Sequence, residues 1–95
     1  MKKLSNSEIE KNLDQFPDWE FVENAIETTL EFESFKDCFS IMTRIAFEAE
    51  AQNHHPEWFN VYNKLSIRLS THDASGVTDK DFKLAKIIEE IIMNQ

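Results

Sequence analysis

The sequence has few residues that staple or break a chain: one cysteine, one glycine and two prolines in 95 positions. A lone thiol, Cys38, closes no internal disulfide, so the fold must rest on its core. Met1-Lys2-Lys3 leads into a polar capping sequence rather than an apolar run, which does not read as a secretory leader. The expected compartment is a reducing cytoplasm, or also the nucleus if the source is eukaryotic. No apolar stretch approaches the roughly 20 residues that cross a bilayer, so no membrane partner is expected. Basic residues are scarce as well, 10 Lys and Arg against 18 Asp and Glu, giving a formal net charge of -8. That balance disfavours direct binding of nucleic acid, whose affinity is carried largely by clustered lysine and arginine. A neutral small molecule or another protein fits better.

Aromatics are plentiful by contrast, with eight Phe and two Trp, enough for a small core. The length fits a single domain, residues 1–95. Ser5 and Glu8 form a capping box opening a first helix, with Leu4 stapled on Ile9, and Pro17 stops it. Trp19 to Val22 alternates, Glu23-Asn24 reads as a turn, and Ala25 to Glu33 carries Ile26, Thr28, Leu30 and Phe32 at period two, which predicts a hairpin. Ser34 then caps a central helix with Asp37 at its third position. The predicted buried stripe of that helix is Phe35, Cys38, Phe39, Met42, Ile45, Ala46 and Ala49.

Asn53 can end that helix and Pro56 forbids its continuation. From Trp58 the period returns to two and pauses at Tyr62-Asn63-Lys64. Leu65, Ile67 and Leu69 then oppose Ser66, Arg68 and Ser70, a second hairpin whose last strand, extended to His72, places that histidine on the polar side. Asp73 to Gly76 is a turn. Thr78 with Asp81 forms another capping box, and Phe82, Leu84, Ala85, Ile88, Ile91 and Ile92 supply the stripe of a third helix. The order helix-strand-strand-helix-strand-strand-helix suits a two-layer α+β fold: a four-stranded antiparallel sheet with three helices on one face.

The richest stretch is Asn53-His54-His55-Pro56-Glu57-Trp58-Phe59-Asn60-Val61-Tyr62-Asn63. Histidine, with an ordinary pKa of about 6.5, can give or take a proton near neutral pH. Two readings are open at this point: His54 complementing the dipole of the preceding helix with His55 facing solvent, or the pair serving acid/base chemistry. Glu50 lies one helical turn before His54 and could orient its ring, or be a solvated surface carboxylate. His72 stands alone. Three histidines could ligate zinc, but the usual ligand spacing is missing and Cys38 falls on the apolar stripe, so no metal is expected. Trp58, Phe59 and Tyr62 fit core packing, with one of them free to wall a pocket for a flat ring.

An acidic residue one turn before His-His-Pro, an aromatic further on, another histidine on the following strand and an aspartate beyond it form a pattern that resembles the pterin-4a-carbinolamine dehydratases. The matching residues are Glu50, His54, His55, Pro56, Tyr62, His72 and Asp81, and the similarity runs from about Met42 through Glu90, the N-terminal third agreeing only in outline. The resemblance implies a dehydratase that converts 4a-hydroxytetrahydropterin to quinonoid dihydropterin and water, in tetrahydrobiopterin recycling, without metal or organic cofactor. It implies His54 and His72 as the acid and base pair, which of them is acid being open, and His55 as a substrate contact with Pro56 and Trp58. Glu50 would orient His54, while Tyr62 and Asp81 are signature residues with structural roles in reach. Many animal members have cysteine where this chain has Ala74, which weakens any transfer of animal-specific regulation. The resemblance also implies a homodimer or homotetramer. Two alternatives go with it: a non-catalytic cofactor that stabilises another protein's dimer, as animal members do for a homeodomain transcription factor, and a role in molybdenum-cofactor pterin metabolism.

Overall fold

All three helices begin on side-chain caps. Ser5 Oγ accepts the Glu8 amide at 3.1 Å while Glu8 returns a contact of 2.8 Å to the Ser5 amide. Ser34 Oγ accepts from Asp37 N, and Thr78 and Asp81 close a second capping box. In the computed structural model, which describes residues 2–95, these caps open α1 (Asn6–Leu13), α2 (Phe35–Gln52) and α3 (Asp79–Met93). Between them lie β1 (Glu20–Val22), β2 (Ala25–Glu31), β3 (Glu57–Val61) and β4 (Lys64–Leu69). The order is the one the periodicity predicts.

The strands form one antiparallel sheet in the order β1-β2-β4-β3. Glu23 and Asn24 both take positive φ, 46° and 67°, the left-handed pair that a two-residue hairpin turn requires. Alternation puts Ile26, Leu65, Ile67 and Leu69 against the helices, where they join Ile9, Cys38, Ile41, Ile45, Leu84 and Ile88 in one buried cluster. The other face stays uncovered and carries Glu27, Thr29, Phe59, Ser66 and Arg68. Cys38 is fully buried, burial pushes its thiol up, and Asn60 Nδ2 donates to its sulfur at 3.3 Å. Among the described residues, no helix is long and apolar enough to cross a membrane.

Three details differ from the expectation. β2 ends at Glu31, not Glu33, because its partner β4 begins at Lys64; beyond that pair only Phe32 N to Asn63 O at 2.8 Å continues the register, with the Asn63 side chain donating back to Phe32 O at 2.7 Å. The buried stripe of α2 is Cys38, Ile41, Ile45 and Ala49, which leaves Phe35, Phe39 and Ala46 exposed. At about 100° per residue these lie on the flank of the stripe, so the predicted face was broader than the sheet and α3 can cover. Finally, β4 stops at Leu69, and His72 opens a short 3-10 turn, His72–Ala74, instead of extending the strand.

Candidate active site

The end of α2 sets the first histidine. Asn53 takes φ 51°, the left-handed region, and its amide bonds to Glu50 O at 3.1 Å while His54 N bonds to Ala49 O at 3.1 Å. This is the paired closure of a helix C-terminus in which asparagine substitutes for glycine. It turns His54 off the helical path and toward the start of α3, where the capping residue Asp81 waits. His54 Nε2 meets Asp81 Oδ1 at 2.6 Å, with both residues buried.

Asp81 is fully buried, and its other oxygen is also satisfied. Oδ2 accepts from Thr78 N at 2.9 Å and from Thr71 Oγ1 at 2.9 Å. With two donors on Oδ2, the carboxylate form fits this geometry, and the imidazole completes the set as the donor to Oδ1. The aspartate therefore caps α3 and holds His54 at the same time. That second contact spans 27 residues of sequence.

Glu50 was expected to orient His54, and the structure places it elsewhere. Its Oε1 contacts His55 Nε2 at 2.6 Å. The i to i+4 relation that pairs Glu50 with His54 holds only while the helix continues, and the left-handed Asn53 ends it first. His72 sits on its turn with Nε2 at 3.4 Å from Glu57 Oε1, and the other oxygen of Glu57 is 3.4 Å from Arg68 Nε. Each histidine thus has its own carboxylate. Glu57 went unrecognised in the sequence, although its cross-strand partner Arg68 and its position after Pro56 put it on the open face of the sheet.

His54, His55 and His72 line one hollow of about 260 Å³, with Asn53, Ser70, Thr71, Asp73 and Lys80. That is just below the roughly 300–1,000 Å³ of ordinary ligand pockets, so it leaves room for a small molecule only. Thr71 and Lys80 were not singled out by their sequence. The available signal for Lys80 was its neighbour Asp81, since both lie in the first turn of α3. Pro56, Trp58 and Tyr62 do not line this hollow. Trp58 is half-buried on β3 with its side chain packed against the core beside Ile67, and Tyr62 is exposed in the β3–β4 turn; a larger hollow of about 490 Å³ lies on the uncovered sheet face by Phe59, Ser66 and Arg68. The larger hollow has no histidine in its lining. Its guanidinium, Arg68, is already engaged by Glu27, by Glu57 and by the carbonyls of Val22 and Glu23. The groups able to move protons near neutral pH are in the smaller hollow. Among the described residues, no three His, Cys, Asp or Glu side chains converge as metal ligands.

Comparison with known proteins gives a consistent result. The family profile described as pterin 4 alpha carbinolamine dehydratase matches residues 2–91, so the N-terminal third belongs to the match as well. A Christiangramia forsetii protein named "putative pterin-4-alpha-carbinolamine dehydratase" is 59% identical over 92 residues, covering 97% of this chain and 95% of that protein. A Burkholderia pseudomallei protein of the same name is 46% identical over 91 residues, covering 94% and 90%. A crystal structure titled transcriptional coactivator/pterin dehydratase, from Brucella melitensis, superposes with a TM-score of 0.93 at 37% identity, covering 95% of this chain and 98% of that one.

Proposed function

This chain belongs to the pterin-4a-carbinolamine dehydratase family, and from that membership we propose that its histidine corner removes water from a 4a-hydroxytetrahydropterin. The reaction needs one proton delivered to the departing 4a-hydroxyl and one taken from the ring nitrogen system. Proton count on the enzyme is restored after each turnover, so no redox partner enters. Two imidazoles within reach of one substrate supply both transfers, each worth typically 10²–10⁴-fold.

His54 and His72 form the acid and base pair. His54 has Nε2 committed to Asp81, so exchange with the substrate falls to Nδ1. His72 is exposed on its turn and is held loosely by Glu57. His55, tied back by Glu50, contacts the substrate, with Lys80 as a further donor at the rim. The observation that supports this reading most is the gathering of all three histidines around one small hollow, with one of them fixed by a buried carboxylate. The product would be quinonoid dihydropterin, in tetrahydropterin recycling.

Following dehydration of 4a-hydroxytetrahydropterin by purified protein tests the proposal. Wild type should accelerate it, and His54→Ala and His72→Ala should each lose about 10²-fold or more while remaining folded. Wild type that adds nothing to the uncatalysed rate would refute it.

A second reading has its own support. Phe35, Phe39 and Phe47 are exposed on α2, and the Brucella melitensis neighbour carries "transcriptional coactivator" in its title. An apolar helix face of this kind suits a homo-oligomeric contact or a protein partner, alongside catalysis. Light scattering distinguishes a monomer from a dimer or tetramer.

A further inference from the structure

Thr71 has no part in the reaction as described, yet it touches both halves of the site. It is 6% exposed and lies between the end of β4 and His72. Its Oγ1 is 2.9 Å from Asp81 Oδ2 and 2.7 Å from Thr78 Oγ1. A hydroxyl has a single proton. The carboxylate oxygen can only accept, so the Thr71 proton goes to Asp81, and Thr78 must then donate its own proton to Thr71. Thr78 Oγ1 in turn accepts the Lys80 amide at 3.2 Å. The direction of the chain is therefore fixed: Lys80 amide, Thr78 hydroxyl, Thr71 hydroxyl, Asp81, with His54 on the far oxygen.

The backbone of Thr71 anchors the other half. Its amide bonds to Gly76 O at 2.8 Å and its carbonyl accepts from Ala74 N at 3.0 Å, closing the turn that presents His72. Side-chain and main-chain bonds of one residue thus fix the His72 turn to the carboxylate that holds His54. Being β-branched, threonine has a stiff χ1, which suits a spacer between two groups.

We infer that Thr71 is a positioning residue, whose hydroxyl orients Asp81 and so keeps His54 in the Nε2–H form while its backbone sets the distance from His54 to His72. The catalytic part of this inference rests on the dehydratase reading; the part concerning the His54 ring does not. Loss of the hydroxyl would leave Oδ2 with the Thr78 amide alone and free the carboxylate to rotate. Asp81 would then hold the imidazole less firmly, and a misplacement near 1 Å at a reacting group can cost about 10²-fold.

The test compares wild type, Thr71→Val, which removes the hydroxyl at nearly constant volume, and Thr71→Ser, which retains it. Nitrogen-15 NMR of the imidazoles in ligand-free protein should report His54 as the Nε2–H form with a slowly exchanging proton. Thr71→Val should give a mixed or rapidly exchanging signal and Thr71→Ser the wild-type signature. In the dehydration assay, Thr71→Val should lower kcat about 10- to 100-fold with a smaller change in KM, and Thr71→Ser should recover to within about threefold of wild type. A valine variant with the wild-type His54 signature overturns the inference. Should that variant not fold, the Thr71 hydroxyl proton of wild type decides: slow exchange supports its donation to Asp81, and exchange at the rate of an exposed threonine refutes it. If wild type proves inactive as a dehydratase, that result removes the catalytic reading, and the imidazole spectra still decide whether Thr71 controls the ring.

Discussion

Two histidine–carboxylate contacts in this protein have the same length, 2.6 Å, and opposite surroundings. In the His54–Asp81 pair the side chains are 9% and 0% exposed; in the His55–Glu50 pair they are 56% and 77% exposed. Distance alone would rank them equal. Solvent decides otherwise: an exposed pair is worth about 0–1 kcal/mol because water and salt compete for both partners, whereas breaking a buried one leaves an uncompensated polar group. The buried pair fixes a ring, and the exposed pair lets its ring move toward or away from a ligand. The proposed proton-transfer role of His54 would draw on the first, and the proposed substrate contact of His55 on the second.

The largest contrast should come from deleting each carboxylate. Asp81→Ala strips partners from His54, Thr71 and the Thr78 amide together, and should cost about 3–5 kcal/mol in urea unfolding, with dehydration falling about 10²-fold or more. Glu50→Ala should cost under about 1 kcal/mol and change KM more than kcat. Equal losses of stability in the two variants would break the comparison. Next in size is the coupling measured by a double-mutant cycle between Glu50→Ala and His55→Ala, expected at about 0.2–1 kcal/mol in dilute buffer. At about 1 M salt, where the Debye length is roughly 3 Å, that coupling should vanish while the His54–Asp81 coupling persists.

The smallest effect extends the comparison to a fully exposed carboxylate. The Ser5 amide, followed by the Ser5 hydroxyl, holds Glu8 below its ordinary range. Its folded value is thus lower than its unfolded one, so its contribution is present above the usual glutamate value of about 4.3 and is lost as pH falls through the folded value. Glu8→Gln should flatten the acid limb of the stability profile slightly, the lost contribution appearing at neutral pH as a small offset that does not vary with pH.

Local rules made most of the fold legible. Ser5, Ser34 and Thr78 marked the helix starts, Glu23-Asn24 marked a turn, and period-two runs marked β2 and β4, because caps and alternation depend on neighbours within a few residues. The site was legible as a set of residues but not as a set of contacts. Asp81 read as a cap, and its contact with His54 depends on how α2 ends relative to α3, which no local pattern encodes. Glu50 was assigned to His54 by a helical rule that Asn53 interrupts. His72 was placed on a strand because parity does not report where pairing stops; β3 begins at Glu57, opposite Arg68, and β2 at Ala25, one position before the Ile26–Leu69 pair, so neither strand reaches as far as His72. The α2 stripe was read too wide for a related reason, since periodicity gives the direction of a face and not the area available to cover it.

The most direct measurement is an NMR titration of the protein with a dihydropterin, watching side-chain signals from both hollows. The imidazoles of His54, His55 and His72 should shift together with saturating pterin while Phe59 and Arg68 stay in place. Shifts confined to Phe59 and Arg68 on the uncovered sheet face, with the three imidazoles unmoved, would contradict this assignment.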